Sequence, residues 1–365
     1  MKISIILGTR PEIIKFCPII RECERLASDY FILHTGQHYS YNMDKIFFEQ
    51  LGLPEVKYNL DVCSGTHAEQ TGKMLIGIEK ILIKEKPDIV LVEGDTNTVL
   101  AGALAAVKLG IKIGHVEAGL RSYDKQMPEE INRIVADHCS DFLFAPTEKS
   151  KRILVGEGIP ENKVFITGNT IVDAVFQNLK KLKNGADVLK NLGINSRSYF
   201  LVTVHRQENV DNKERFQGIM KGLNILYRKF GFPIIYPIHP RAEKQLKLFD
   251  LKPRGVKIIK PLDYFDCLQL ESNARLILTD SGGVQEEACI LGVPCVTLRY
   301  NTERPETLDV GANMLAGTNP IEIVKKTEIM MNKLEKWENP FGDGTAGKRM
   351  IKILYDNFSG HINSS

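Results

Sequence analysis

Apolar residues along this chain fall in short runs that alternate with longer stretches of helical spacing. "KISIIL" has the pattern of a buried strand, followed by "GTR" and by Pro11 at the start of a predicted helix. "YFILHTG", "PDIVLVEGD", "IKIGHVEAG", "DFLFAPT" and "NKVFITGNT" repeat the strand pattern. "TNTVLAGALAAVKLG" and "EEINRIVADHCS" between them predict helices, with Gly110 suited to a C-cap. This order predicts a parallel, doubly wound α/β sheet. A charged helical stretch, "DAVFQNLKKLKNGADVLKNLGI", then leads into a second series: "SYFLVTVH", "FPIIYPIH", "GVKIIKP", "ARLILTD" and "VPCVTLR". Two Rossmann-like halves are therefore expected, with a seam near residues 169–175. Met350, Ile351, Ile353 and Leu354 mark one face of a final helix, and "SGHINSS" reads as a disordered tail.

Composition refines this picture. A chain of 365 residues exceeds what one core usually serves, which favours two domains. The net charge of +3 argues against a dedicated nucleic-acid or membrane partner, while leaving room for local basic patches that hold an anion. The apolar run after Lys2 stops at Gly8, too short for a signal peptide, and no run approaches the roughly 20 residues of a membrane span. A cytoplasmic protein is expected. The seven cysteines include no CxxC pair, so reduced, mostly buried thiols are expected rather than a metal site.

Ligands of open parallel sheets sit at the carboxyl ends of the strands, so the residues that follow each strand carry the candidate chemistry. In "GTRPEIIK", Gly8 permits a tight turn, and Arg10 and Lys15 put positive charge near a helix N-terminus, which suits phosphate. The loop lacks both GxGxxG and GxxxxGK[ST], so neither NAD nor a P-loop is indicated. Asp95 in "EGDTNT" reads as an N-cap or an active-site acid. Glu117 in "HVEAGLR" needs a partner, and Arg121 is a candidate. His205 with Arg206 and His239 with Arg241 occupy equivalent strand ends. The strongest local signal is "LILTDSGGVQEEA". A strand ends in Asp280, and Ser281, Gly282 and Gly283 open a helix whose free N–H groups suit a diphosphate. Glu287 lies one turn in, where a carboxylate complements the helix dipole or accepts from a ribose diol.

Taken in order, "GTRPE", "GDTNT", "HVEAGLR", "PEEINR", "GNTIVDA", "HRQEN", "SGGVQEEA" and "TERPE" resemble the non-hydrolysing UDP-N-acetylglucosamine 2-epimerases. The match spans residues 8 to about 312, nearly the whole chain. The resemblance implies a GT-B fold: two Rossmann-like domains (1–171 and 172–343) facing a cleft, with residues 344–365 supplying a helix that crosses back to the first domain, plus a tail. It implies interconversion of UDP-GlcNAc and UDP-ManNAc without NAD or metal, commonly by a homodimer. It implies Asp95, Glu117 and Glu129 as the acidic cluster, with Glu130 as a helix-start or surface charge. Arg10, Lys15, Ser281, Gly282, Gly283 and Arg304 would serve the nucleotide-sugar phosphates. His205 would assist the departure of UDP, and Glu287 would hold the ribose. Gln37, His38, Arg206 and His239 match parts of a second, activating UDP-GlcNAc site found in several bacterial members, but the surrounding "GQHYSYNM" and "HAEQTGKM" depart from that pattern.

The C2 hydrogen of UDP-GlcNAc has no adjacent carbonyl, so elimination is the accessible route. A base takes the C2 proton as UDP leaves C1, and a 2-acetamidoglucal remains beside UDP. Protonation from the other face and re-addition of UDP complete the epimerisation. Carboxylates suit the proton transfers, and cations with a helix N-terminus suit the departing diphosphate. The competing readings are a GT-B glycosyltransferase, an epimerase of a modified UDP-sugar, and a non-catalytic nucleotide-sugar sensor. A hydrolysing relative fused to a kinase would need a longer chain.

Overall fold

The computed structural model describes residues 1–37, 41–182, 187–333 and 336–359; the tail expected to be disordered lies outside them from residue 360 on. The chain forms two compact units. The first is Met1–Phe176 and resumes at Phe341; the second is Gln177–Pro340. The division falls within the helix Thr170–Leu182.

In the first unit, β1 (Lys2–Leu7), β2 (Asp29–His34), β3 (Tyr58–Asn59), β4 (Ile89–Glu93), β5 (Lys112–Val116), β6 (Phe142–Ala145) and β7 (Val164–Ile166) form one sheet. Its order is β3-β2-β1-β4-β5-β6-β7, and every pairing is parallel. In the second, β8 (Phe200–Thr203), β9 (Ile234–Pro237), β10 (Val256–Ile259), β11 (Leu276–Thr279), β12 (Cys295–Thr297) and β13 (Asn313–Leu315) run β10-β9-β8-β11-β12-β13, again all parallel. Of the four edge strands, β3 and β13 were not legible in the sequence. Each is held from one side only and is too short to carry an apolar run.

The central strands are apolar on both faces because helices cover both. Ile6, Leu33, Val90, Val92 and Ile113 pack with Met74, Ile78 and Val99 in the first unit. Phe200, Val202, Tyr236 and Leu278 pack with Phe216, Leu223 and Ile323 in the second. Strand order reverses between β1 and β4 in the first sheet and between β8 and β11 in the second. At such a reversal the connecting loops diverge and leave a crevice at the strands' carboxyl ends. "GTRPE" and "EGDTNT" follow β1 and β4; "HRQEN" and "DSGG" follow β8 and β11. These four motifs thus stand at the two reversals.

The last described helix, Ala346–Ser359, belongs to the first unit and packs on the helix Arg10–Arg25. Its buried face is Met350, Ile351 and Leu354. A Cβ at Gly347 would lie 3.1 Å from the Pro18 carbonyl carbon, so a glycine lets the two backbones approach. Asp173 accepts from Ala346 N and Gly347 N (3.1 and 3.0 Å), closing the start of this helix. Burial raises the Asp173 pKa to about 6.

Candidate active site

The first unit gathers acids where its strand order reverses. Glu12 is buried; its Oε2 accepts from Gly8 N (2.6 Å) and Thr9 N (2.8 Å), and its Oε1 accepts from Thr96 Oγ1. Glu12 thereby ties the loop after β1 to the loop after β4. Gly8 is required by packing: a Cβ there would stand 1.9 Å from Thr35 Oγ1 and 2.5 Å from Thr98 Oγ1. Burial pushes Glu12 up to about 7, against the hydrogen bonds from Thr96, Gly8 and Thr9. A carboxyl raised in the folded state contributes most stability below its ordinary value of 4.5, and that contribution is lost as pH rises through about 7. Glu12→Gln is therefore expected to gain about 3 kcal/mol relative to wild type between about pH 4 and about pH 8. Paired urea titrations check this, and a stability gap independent of pH would refute it.

Lys15, from the same helix, lies between two further acids. Its Nζ is 3.3 Å from Glu93 Oε1 and hydrogen-bonds Glu117 Oε2 directly. All three side chains are buried. Glu117 adopts φ +68°, a left-handed conformation that costs a non-glycine residue roughly 1–2 kcal/mol. Such strain concentrates at functional sites. Burial and the adjacent Glu117 hold the Glu93 carboxyl well above the usual range, with Lys15 opposing. Arg121 was a candidate partner for Glu117, and the structure gives it others. Arg121 Nη2 lies 2.7 Å from Asp137 Oδ2, and its guanidinium also pairs with Glu157 (2.6 Å). The reason is the turn after β5, which carries the two side chains to different neighbours.

Asp95 is half-buried beside Arg133, which also holds Glu130 at 2.7 Å. Asp95 is not the N-cap residue of the next helix; Thr96 holds that position, though its hydroxyl is given to Glu12 rather than to the helix. The loop bearing it is fastened from behind. His115 Nδ1 meets Asp137 Oδ1 at 2.7 Å, and its Nε2 meets the Gly94 carbonyl at 2.8 Å. Both partners accept, so the imidazole that satisfies both is protonated. Burial opposes that charge, but Asp137 and the Gly94 carbonyl outweigh it and raise the His115 pKa.

The reading of Glu130 as a helix-start or surface charge is half corrected. The helix Pro128–Cys139 does begin there, but Glu130 is buried, accepting from Ser122 N and Oγ and from Tyr123 N, each at 2.9 Å. It folds the preceding loop back onto the helix start. Glu129 is exposed on the same turn. Arg10 stacks its guanidinium over Phe47, 5.9 Å from the ring centroid. Gln37 is buried, and its side-chain oxygen accepts from Thr98 N and Oγ1 (3.0 and 2.9 Å). His38 lies outside the described residues.

In the second unit, Asp280 anchors the reversal. It is wholly buried and accepts from His205 N (3.1 Å), Arg206 N (3.0 Å) and Asn209 Nδ2 (3.1 Å), so "HRQEN" is laid against the end of β11. The His205 and His239 rings stand 5.9 Å apart. Surrounding protein pulls the His205 pKa below the ordinary histidine value, with Arg206 adding and Asp280 opposing, although 42% of its side chain is accessible. His239 shifts the same way, through burial and then His205. Ser281 is the N-cap residue of the helix Gly282–Ile290. A Cβ at Gly283 would meet nothing within 4 Å, and one at Gly282 only Glu303 Oε2 at 3.7 Å. The fold's own packing therefore does not demand these glycines, and the helix start is open to an approaching group. Arg304 is buried, with Nε 2.8 Å from Glu286 Oε1. Arg299 and Arg206 converge on Glu303 at 2.8 and 3.5 Å. Glu287 is buried beside Tyr264 and Glu271, and Glu271 is raised well above the usual range by burial and by Glu287.

Sequence reasoning missed Glu12, Glu93, Glu271 and Glu303 and the anchoring role of Asp280. Glu93 left one signal, an acid closing the otherwise apolar run "IVLVE". Among the described residues no group of three or more His, Cys, Asp or Glu side chains is arranged to hold a metal ion. The cysteines are free thiols, Cys17, Cys23, Cys289 and Cys295 buried and Cys63 exposed. No described helix is long and apolar enough to cross a membrane.

Two Rossmann-like domains, each with polar groups gathered where its strand order reverses, define a two-domain α/β protein with the domain make-up of the GT-B class. The family model described as UDP-N-acetylglucosamine 2-epimerase matches residues 21–355. The UDP-N-acetylglucosamine 2-epimerase of Methanocaldococcus jannaschii is 60% identical over 361 residues, covering 97% of this chain and 99% of that protein. The crystal structure of the M. jannaschii enzyme in complex with UDP-GlcNAc and UDP superimposes with a TM-score of 0.91 at 60% identity, over 97% of this chain and 99% of that one. The UDP-2,3-diacetamido-2,3-dideoxy-D-glucuronate 2-epimerase of Pseudomonas aeruginosa is 41% identical over 358 residues, 97% of this chain and 99% of that protein. The chain belongs to the UDP-N-acetylglucosamine 2-epimerase family.

Proposed function

We propose that this protein interconverts UDP-GlcNAc and UDP-ManNAc by elimination of UDP and its re-addition to a 2-acetamidoglucal. The observation that carries the reading is Glu117, held buried and left-handed after β5 against Lys15, whose helix follows β1. A surface acid needs neither the strain nor the buried cation; a proton-transfer group aimed at one atom needs both. Glu117, Asp95 and Glu129 serve the two faces of C2. Lys15, matched to Glu93 and Glu117, orients the base rather than binding phosphate. Arg10 and Arg304 attend the phosphates, the N–H groups that follow Ser281 receive the diphosphate, and Glu287 takes the ribose. His205 is neutral before substrate arrives; the diphosphate's charge raises its proton affinity as UDP departs. Elimination and re-addition consume no external oxidant. A homodimer in the cytoplasm completes the reading.

The test uses UDP-GlcNAc as sole substrate in D2O, followed by NMR. UDP-ManNAc bearing deuterium at C2 is expected. Product without label would overturn the mechanism, and no product without an added acceptor would favour a glycosyltransferase. The P. aeruginosa relative supports a second reading, in which the sugar carries a 3-acetamido group and a C6 carboxylate. A higher kcat/KM for that sugar than for UDP-GlcNAc would select it.

A further inference from the structure

Glu93 closes β4 directly beside the loop that carries Asp95. It is 2% exposed, Glu117 is 5% and Lys15 is 8%. The charged groups facing it are Lys15 and Glu12 from the helix Arg10–Arg25 and Glu117 from the turn after β5. Two ionised carboxylates around one ammonium would leave an unmatched buried negative charge, which is expensive. One acid therefore keeps its proton. Lys15 identifies which: it bonds Glu117 directly but stands 3.3 Å from Glu93 Oε1 without a hydrogen bond to that atom. The cation belongs to Glu117, and the proton to Glu93. Both carboxyls reach the same Lys15 ammonium, which brings them close enough for the protonated acid to donate to the ionised one.

We propose that Glu93 is a positioning residue for Glu117: as a neutral acid it donates a hydrogen bond that, together with Lys15, fixes the direction and proton affinity of the Glu117 carboxylate. The inference rests on Glu117 as a proton-transfer group at C2. It assigns to this acid a role that an apolar residue cannot fill and that glutamine can.

The test compares Glu93→Gln and Glu93→Met in the full-length protein. Glutamine keeps a donor of the same length, so turnover stays within about threefold of wild type. Methionine keeps the volume and loses the donor, lowering kcat by about ten- to a hundredfold with KM little changed. Loss of the donor raises the Glu117 pKa. In E93M the limb of the kcat–pH profile that belongs to Glu117 moves to higher pH, whether Glu117 acts as base or as acid; in E93Q it stays. A limb moving to lower pH in both variants would mean that Glu93 is ionised, and the proposal falls. Equal losses in both variants with unmoved limbs would reduce Glu93 to a structural acid and also overturn it. Infrared spectroscopy decides the proton's place without turnover. The protonated-carboxyl band in the wild-type-minus-E93Q difference at neutral pH supports the assignment, and its absence refutes it. Wild type that makes no epimer while showing the band would refute the functional reading and leave the proton assignment standing.

Discussion

Glu117→Gln is expected to lower kcat by about 10²–10⁴-fold, the usual worth of a positioned general acid or base, while UDP binds within about threefold of wild type. The substitution removes one charge and keeps the shape. Lys15 then faces Glu93, 3.3 Å away, which can ionise in Glu117's place. The local charge balance survives, so the fold should too. Apart from Arg10, which stacks on Phe47, the groups proposed to bind UDP lie in the second unit, around Asp280 and Gly283, and the change leaves them untouched. Asp95→Asn should behave alike, with Arg133 keeping Glu130 as its partner. NMR of the sugar pool reads turnover, and titration calorimetry reads UDP. Full activity in E117Q would remove Glu117 from the chemistry. Loss of UDP binding in parallel with turnover would mean a disrupted structure rather than a missing proton-transfer group.

Asp280→Ala is expected to destabilise the second unit by about 3 kcal/mol, since it removes the acceptor of two part-buried amides and one buried side-chain donor at once. The His205 and Arg206 amides and the Asn209 side chain all point at this carboxylate. Only part of that loss is recoverable, because Asn209 also donates to the Leu298 carbonyl at 3.0 Å. With the anchor gone, the loop presenting His205 is released, and UDP affinity should fall about ten- to a hundredfold. Asp280→Asn keeps one acceptor oxygen and should lose less of both. Calorimetric unfolding and UDP titration check the pair. An alanine variant with unchanged melting and unchanged UDP affinity would show that Asp280 anchors nothing.

Much of the fold was legible because strands buried on both faces are written as unbroken apolar runs, "IVLVE" and "LILT" among them. Two of the four edge strands, Tyr58–Asn59 and Asn313–Leu315, were not, because they are two and three residues long and each includes a polar asparagine. Loop positions after the strands were legible for the same reason: once the strands are placed, the polar residue that follows each must lie at its carboxyl end. Partners were harder. Glu129 and Glu130 are neighbours in sequence, and spacing alone says only that their directions differ. That Glu130 is the one turned inward depends on where Ser122 and Tyr123 present their N–H groups. Arg121 looked like the partner of Glu117 because it is close in sequence, yet Lys15, from a distant helix, holds that acid.

By itself, then, the sequence determined the two parallel sheets, the sites where chemistry could lie and the family to which the chain belongs. These follow from periodicity and ordered motifs, which are local properties. The tertiary structure decided which acids are buried, which cation meets which carboxylate and which carboxyl retains its proton. Those outcomes depend on desolvation and on distances of a few ångströms between segments far apart in the chain. The Lys15 helix and the Glu93 strand are such a pair, and no local pattern records how they meet.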